Sequence, residues 1–170
     1  MFSRGAAREG ETRKLKIRDI AHGGMIAALY VAVTMLFAPI SFGEVQLRVS
    51  EALTLLPFYI PAAVPALFSG CLLANFIGGL GLWDVVFGSG ATLLAAWLSS
   101  RMPNIWLAAL PPVIVNMLVI GIMLKYIIDV PLTAAIIYVG SGQAAACFGI
   151  GIPLMKILEK YSIIKKKRSE

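Results

Sequence analysis

The chain alternates long apolar blocks with short polar breaks, and the breaks set its order. After a polar, basic stretch over residues 1–16, an apolar run over 16–37 predicts a first helix with Asp19 near its start, where an acid suits the positive end of the helix dipole. The break at 38–50, held by Pro39 and Gly43, carries Glu44, Gln46 and Arg48. Ser50 is an expected N-cap before Glu51 and opens a second span. From there to Asp84 no charge occurs, and Pro57, Pro61 and Pro65 punctuate the run. Residues 52–83 are long for one helix but suffice for two short ones joined at a proline turn, because proline resists helix interiors. A third helix is expected over about 62–77, with Gly70, Ala74 and Gly78 on one close-packing stripe. A glycine turn at Gly78, Gly79 and Gly81 follows, then a fourth helix over 83–99 ending near Arg101. The fifth runs over about 104–128, where Pro111 and Pro112 either kink it or mark its start after an interfacial piece; the sixth covers about 131–158.

Composition turns these blocks into membrane spans. The 170 residues are 59% hydrophobic and only 14% charged, with mean hydropathy +0.84, well outside the range of soluble domains. A bilayer-crossing helix needs roughly 20 apolar residues. The expected fold is therefore an all-α integral membrane protein, a compact bundle of six transmembrane helices with no room for a second domain. It divides into a basic, flexible segment over 1–16, a membrane domain over 17–160 and a basic tail over 161–170. Of fifteen Lys and Arg, six precede residue 20, six lie from Lys156 onward and only Arg48, Arg101 and Lys125 fall between. The positive-inside rule then places both termini in the cytoplasm, which requires an even number of spans. The basic ends read as topology signals and anionic-lipid contacts, not as a nucleic-acid site. Cys71 and Cys147, far apart in apolar runs, read as small buried side chains. The basic start before Met25 imitates a secretory signal, but the apolar chain continues too far beyond it, so it is taken as the first span.

This topology assigns a depth to each polar residue. Glu51 and Asp84 begin helices on the outside, Asn75 lies in the outer part of the third, and Tyr138 sits about two turns inside the outer end of the sixth. Asn116 and Gln143 fall nearer the midplane, and the inner half holds only weakly polar groups such as Ser69 and Ser99. Such asymmetry describes an outward-facing cup and not a channel with polar groups at all depths. Each residue also has a bland reading: Asp84 as a helix cap, Arg48 and Glu51 as an i, i+3 ion pair, Trp83 as an interfacial anchor, Asn75 and Asn116 as interhelical glue. Their convergence on one side favours a ligand site. No phosphate loop, His-Glu-x-x-His or Gly-x-Ser-x-Gly occurs, and the single histidine, His22, is read as structural. No enzyme, cofactor or metal is therefore expected. A cup without an ATP-binding motif must draw its energy from another protein. Ala21, Gly24, Ala28 and Ala32 form a small-residue stripe on the first helix, suited either to packing in its own bundle or to docking an external helix.

The runs Met25-Ile-Ala-Ala-Leu-Tyr-Val-Ala-Val-Thr, Phe37-Ala-Pro-Ile-Ser-Phe-Gly, Leu47-Arg-Val-Ser-Glu-Ala-Leu-Thr-Leu-Leu-Pro, Leu82-Trp-Asp-Val-Val-Phe-Gly-Ser and Ala108-Ala-Leu-Pro-Pro-Val-Ile-Val-Asn resemble the QueT family of queuosine-precursor transporters. These are substrate-binding S components of energy-coupling factor (ECF) transporters. The resemblance extends over about 16–160. It implies six helices that topple in the membrane, a transmembrane T component contacting Ala21, Gly24, Ala28 and Ala32, two cytoplasmic ATPase subunits, and a 7-deazaguanine substrate such as preQ0 or preQ1. Gly24 departs from an all-alanine stripe. The chemistry fits such a ligand, since a guanine-like edge presents two adjacent N–H donors that a carboxylate accepts. On this expectation Glu51 reads that edge, Arg48 donates to the neighbouring carbonyl oxygen and Asp84 neutralises the aminomethyl cation of preQ1. Trp83 or Phe42 stacks on the ring, and Asn75, Asn116, Tyr138 and Gln143 complete the hydrogen bonds. The rival readings are an S component for another flat, polar vitamin and a non-transporting membrane scaffold.

Overall fold

The computed structural model describes residues 3–42, 47–79 and 81–164, all helical or in short connections. Glu44, Gln46 and the tail from Lys165 lie outside the described residues. Helix α1 (Ser3–Leu36) begins earlier than expected and runs through the basic segment. After α2 (Ala38–Ser41) comes a 3-10 helix, Val49–Leu55, leading into α3 (Leu56–Tyr59). Then follow α4 (Ala63–Gly78), a π-helical turn at Asp84–Gly88 opening α5 (Ser89–Ser99), α6 (Ile105–Ala108), α7 (Leu110–Ile128), α8 (Leu132–Ala144), a second π stretch at Ala145–Gly151, and α9 (Ile152–Lys160). Among the described residues, three stretches are long and apolar enough to cross a membrane: Asp19–Leu36, Ile105–Ile127 and Leu132–Lys160. Ala63–Gly78 and Asp84–Ser99 are shorter apolar helices.

The second span departs from the expectation of a regular α-helix capped by Ser50. Arg48 holds the N-cap position with an extended backbone (φ −92°, ψ 97°) and no side-chain cap, while Ser50 is buried with its Oγ 2.7 Å from Thr34 Oγ1. Pro57 cannot donate to the Leu53 carbonyl, so the i to i−4 ladder is broken there, and the tighter 3-10 winding takes over before it. That winding rises about 2.0 Å per residue against 1.5 Å in an α-helix, which lets a short segment reach farther through the bundle. A turn at Pro61 then leads into α4, as the proline spacing predicted. The Pro111 question resolves into two pieces: Asn104 caps α6 by accepting from Leu107 N–H at 2.8 Å, and Pro111 stands in the first turn of α7.

Close approaches explain the helix order. A Cβ on Gly70 would lie 2.9 Å from the Ala27 carbonyl oxygen, so α4 packs directly on α1; Gly23 meets Ala66 one turn before. These two contacts advance together along both helices, so α1 and α4 run parallel and the segment over 49–59 carries the chain back between them. Gly121 against Ile136 and Gly140 against Met117 join α7 to α8. Gly151 sits 3.1 Å from the Ala52 carbonyl oxygen by the same measure, seating the 3-10 helix on the second π stretch. Proline again accounts for the widened winding, because Pro153 cannot donate to Gly149.

Candidate functional site

Within this apolar bundle lies a buried polar network, built from two neighbouring carboxylates. The first is Asp84. Its Oδ1 and Oδ2 accept from Arg48 Nη2 at 2.9 and 3.1 Å, and Arg48 Nη1 donates to Asn75 Oδ1 at 2.9 Å. The Arg48 Nε donates to the Ser41 carbonyl at 3.4 Å, and the Phe42 ring centroid is 5.5 Å from the guanidinium carbon. Asn75 is oriented by its amide nitrogen, which donates to the Asp84 carbonyl at 3.0 Å, to Ser89 Oγ at 3.3 Å and toward Cys71 Sγ at 3.5 Å. Asn75 thus inserts a donor into the backbone of the α5 entry, which accounts for the π turn there. Gly88 makes room for this, since a Cβ would stand 2.8 Å from Asn75 Nδ2 and 2.9 Å from Asp84 Oδ1.

The second carboxylate is Glu51, and its partners are neutral. Tyr30 Oη and Thr92 Oγ1 donate to Oε1, the latter at 3.0 Å, and Asn116 Nδ2 donates to Oε2 at 3.3 Å. One side chain thereby ties α1, α5 and α7 to the 3-10 helix. Cys71 Sγ lies 3.3 Å from Thr92 Oγ1 and so links the two halves of the network. Arg48, Glu51, Asn75, Asp84 and Asn116 are all buried, as Tyr30, Thr34, Ser50, Ser89 and Thr92 are. Groups of this kind are tolerated in an apolar interior only when paired and hydrogen-bonded.

The structure brings together Phe42, Arg48, Glu51, Asn75, Asp84 and Asn116 from the expected site. Arg48 pairs with Asp84 and not with Glu51, and Asp84 faces that cation instead of capping its helix. Trp83 and Tyr138 lie elsewhere, 62% and 43% exposed. Trp83 stacks on Phe87 with ring centroids 5.6 Å apart and lines an outward groove of about 440 Å³ with Ile122 and Tyr126. Gln143 is buried, and its Oε1 has no hydrogen-bond partner among the described residues. One turn on, Cys147 Sγ lies 3.7 Å from the Glu51 carbonyl oxygen, which sets Gln143 on the face of α8 turned toward the network. Tyr30, Thr34, Ser89 and Thr92 were missed. A tyrosine hydroxyl deep in an apolar helix is itself a signal of a buried partner, and Thr34 follows it at i+4.

The stripe Ala21, Gly24, Ala28 and Ala32 faces outward, because α1 packs on α4 through Gly23, Ala27 and Tyr30 instead. A groove of about 600 Å³ opens beside it, lined by Gly23, Gly24, Ala27, Pro65, Ala66 and Ser69.

A family model described as QueT transporter matches residues 20–160. The chain belongs to the QueT transporter family. The runs that carried the resemblance all fall within the matched residues. A queuosine precursor transporter, QueT, from Lactococcus lactis subsp. cremoris (strain MG1363), is 37% identical over 84 residues, which make up 48% of this chain and 49% of that protein. The chain thus matches about half the length of that relative. No solved structure matches it. Family and relative are transporters and not enzymes, and with three apolar helices of membrane-crossing length among its described residues this QueT family member is a membrane protein.

Proposed function

We propose that the chain is the substrate-binding membrane subunit, the S component, of an energy-coupling factor transporter, and that it captures a preQ0- or preQ1-type 7-deazaguanine from outside the cell. Uptake is driven by ATP through a transmembrane T component and two cytoplasmic ATPase subunits. The chain crosses the membrane six times, with both termini cytoplasmic, so that the Arg48 and Asp84 end of the bundle faces outward. The observation that carries the reading is the buried network of Arg48, Glu51, Asn75, Asp84 and Asn116, far more polar than a scaffold needs, in a member of a transporter family. Phe42 lies over the Arg48 guanidinium as a stacking surface, and buried Gln143 offers an acceptor with no partner among the described residues. The outward face of Ala21, Gly24, Ala28 and Ala32 supports docking of the T component there, since small residues let a second helix approach closely.

The test is thermal unfolding of the purified protein in detergent with preQ0, preQ1, queuine, guanine, riboflavin or thiamine. A ligand that binds only the folded state raises its stability by mass action. Stabilisation by the deazaguanines alone is the expected result. Stabilisation by an unrelated vitamin alone would overturn the substrate, and no shift with any of them would favour a scaffold.

A further inference from the structure

We infer that the Arg48 guanidinium occupies the acceptor pair that reads the ligand: Asn75 Oδ1 and the Asp84 carboxylate receive the two adjacent N–H donors of the 2-amino-4-oxopyrimidine edge in place of the two arms of Arg48. The inference rests on the substrate class proposed above and reassigns the edge from Glu51 to Asp84.

The first ground is chemical likeness. A guanidinium and an aminopyrimidinone edge are both planar and present parallel N–H donors a fixed distance apart. Arg48 sends one arm to Asn75 and the other to Asp84, so the two acceptors already stand at the spacing such a fork requires. The pair is also built, not incidental. Asn75 has its oxygen turned to the fork by three acceptors behind its nitrogen, and Gly88 leaves the gap that lets it approach Asp84.

The second ground is what must move. Glu51 holds donors from three helices, so freeing it for a ligand would disturb the packing of α1, α5 and α7 together. Freeing Asp84 requires only one long side chain to withdraw, from a residue with extended backbone outside any helix. At the acceptor pair the ligand's two N–H donors take the place of the two arms, and the 3.4 Å bond from Arg48 Nε to the Ser41 carbonyl is a further contact that the withdrawing side chain exchanges. Arg48 then donates to the ring carbonyl next to the edge, which keeps its charge close to Asp84 and avoids an isolated buried ion. Phe42 faces the guanidinium and would face the heteroaromatic ring in the same position.

Two measurements test this. Arg48→Ala in detergent should be stabilised by millimolar methylguanidinium, by about 2–4 °C in unfolding midpoint, with no such shift in the wild type or with urea on the variant. Separately, the wild type should bind preQ1 about 10–100-fold more tightly than the analogue lacking the 2-amino group, as expected for a hydrogen bond to a charged acceptor. That preference should fall to within about threefold in Arg48→Met/Asp84→Asn, which leaves no unpaired buried charge, and persist in Glu51→Gln. Preference retained without Asp84 but lost in Glu51→Gln overturns the inference, and so does a methylguanidinium effect absent from Arg48→Ala. If the wild type binds no deazaguanine while methylguanidinium still stabilises Arg48→Ala, the substrate reading fails and the acceptor pair stands.

Discussion

Asp84 and Glu51 are buried carboxylates in one hydrogen-bonded network, yet one is held by a cation and the other by three neutral donors. Arg48 reaches Asp84 from an extended residue before the 3-10 helix, whereas Tyr30, Thr92 and Asn116 reach Glu51 from within helices. The contrast separates two tasks that both need buried polarity. A group tied to several helices fixes their packing, and a group tied to one movable side chain is free to change partner.

The contrast can be broken most forcefully at its ion pair. Arg48→Met alone leaves Asp84 buried without its cation and is expected to cost about 3–5 kcal/mol in unfolding experiments, most of it recovered when Asp84→Asn is added. Tyr30→Phe removes one donor from Glu51 and should cost about 1.5–3 kcal/mol, with weakened α1 docking visible as faster amide exchange in that helix. On the Asp84 side, Gly88→Ala drives a methyl into Asn75 and Asp84. Overpacking there is expected to cost about 1–3 kcal/mol and to weaken precursor binding along with stability. Asn116→Ala removes the longest of the Glu51 bonds, an interhelical contact of the kind worth about 0.6 kcal/mol in membranes, and its thermal shift should be the smallest among the network variants. Gly90→Ala, two residues from Gly88 but with open space where its Cβ would stand, should change stability by no more than about 0.5 kcal/mol and serves as the control for α5.

Much of the candidate site was visible in the chain because charge is so rare there. Arg48, Glu51 and Asp84 stand out against apolar blocks, and a buried charge in such a setting must have a partner. The identity of the partner was not visible. An i, i+3 pair of Arg48 with Glu51 presupposes that both lie on one helix, but Arg48 is extended and its side chain leaves toward α4 and α5. Tyr30 and Thr92 were missed for the related reason that a hydroxyl in an apolar helix does not reveal which helix it faces. Tyr138 was placed in the cup by its depth and Trp83 by its stacking chemistry, and neither depth nor residue type reveals the rotation about the helix axis that leaves both exposed.

The sequence by itself determined an all-helical, strongly apolar membrane protein, most of its chain breaks and the family to which it belongs, because hydropathy and proline act locally and are read along the chain. Only the tertiary structure decided that Arg48 pairs with Asp84, 36 residues away, and that Glu51 joins three helices. In a low-dielectric interior, a charged group is stabilised by whichever partner the packing brings within hydrogen-bonding distance, and closeness along the chain does not decide that.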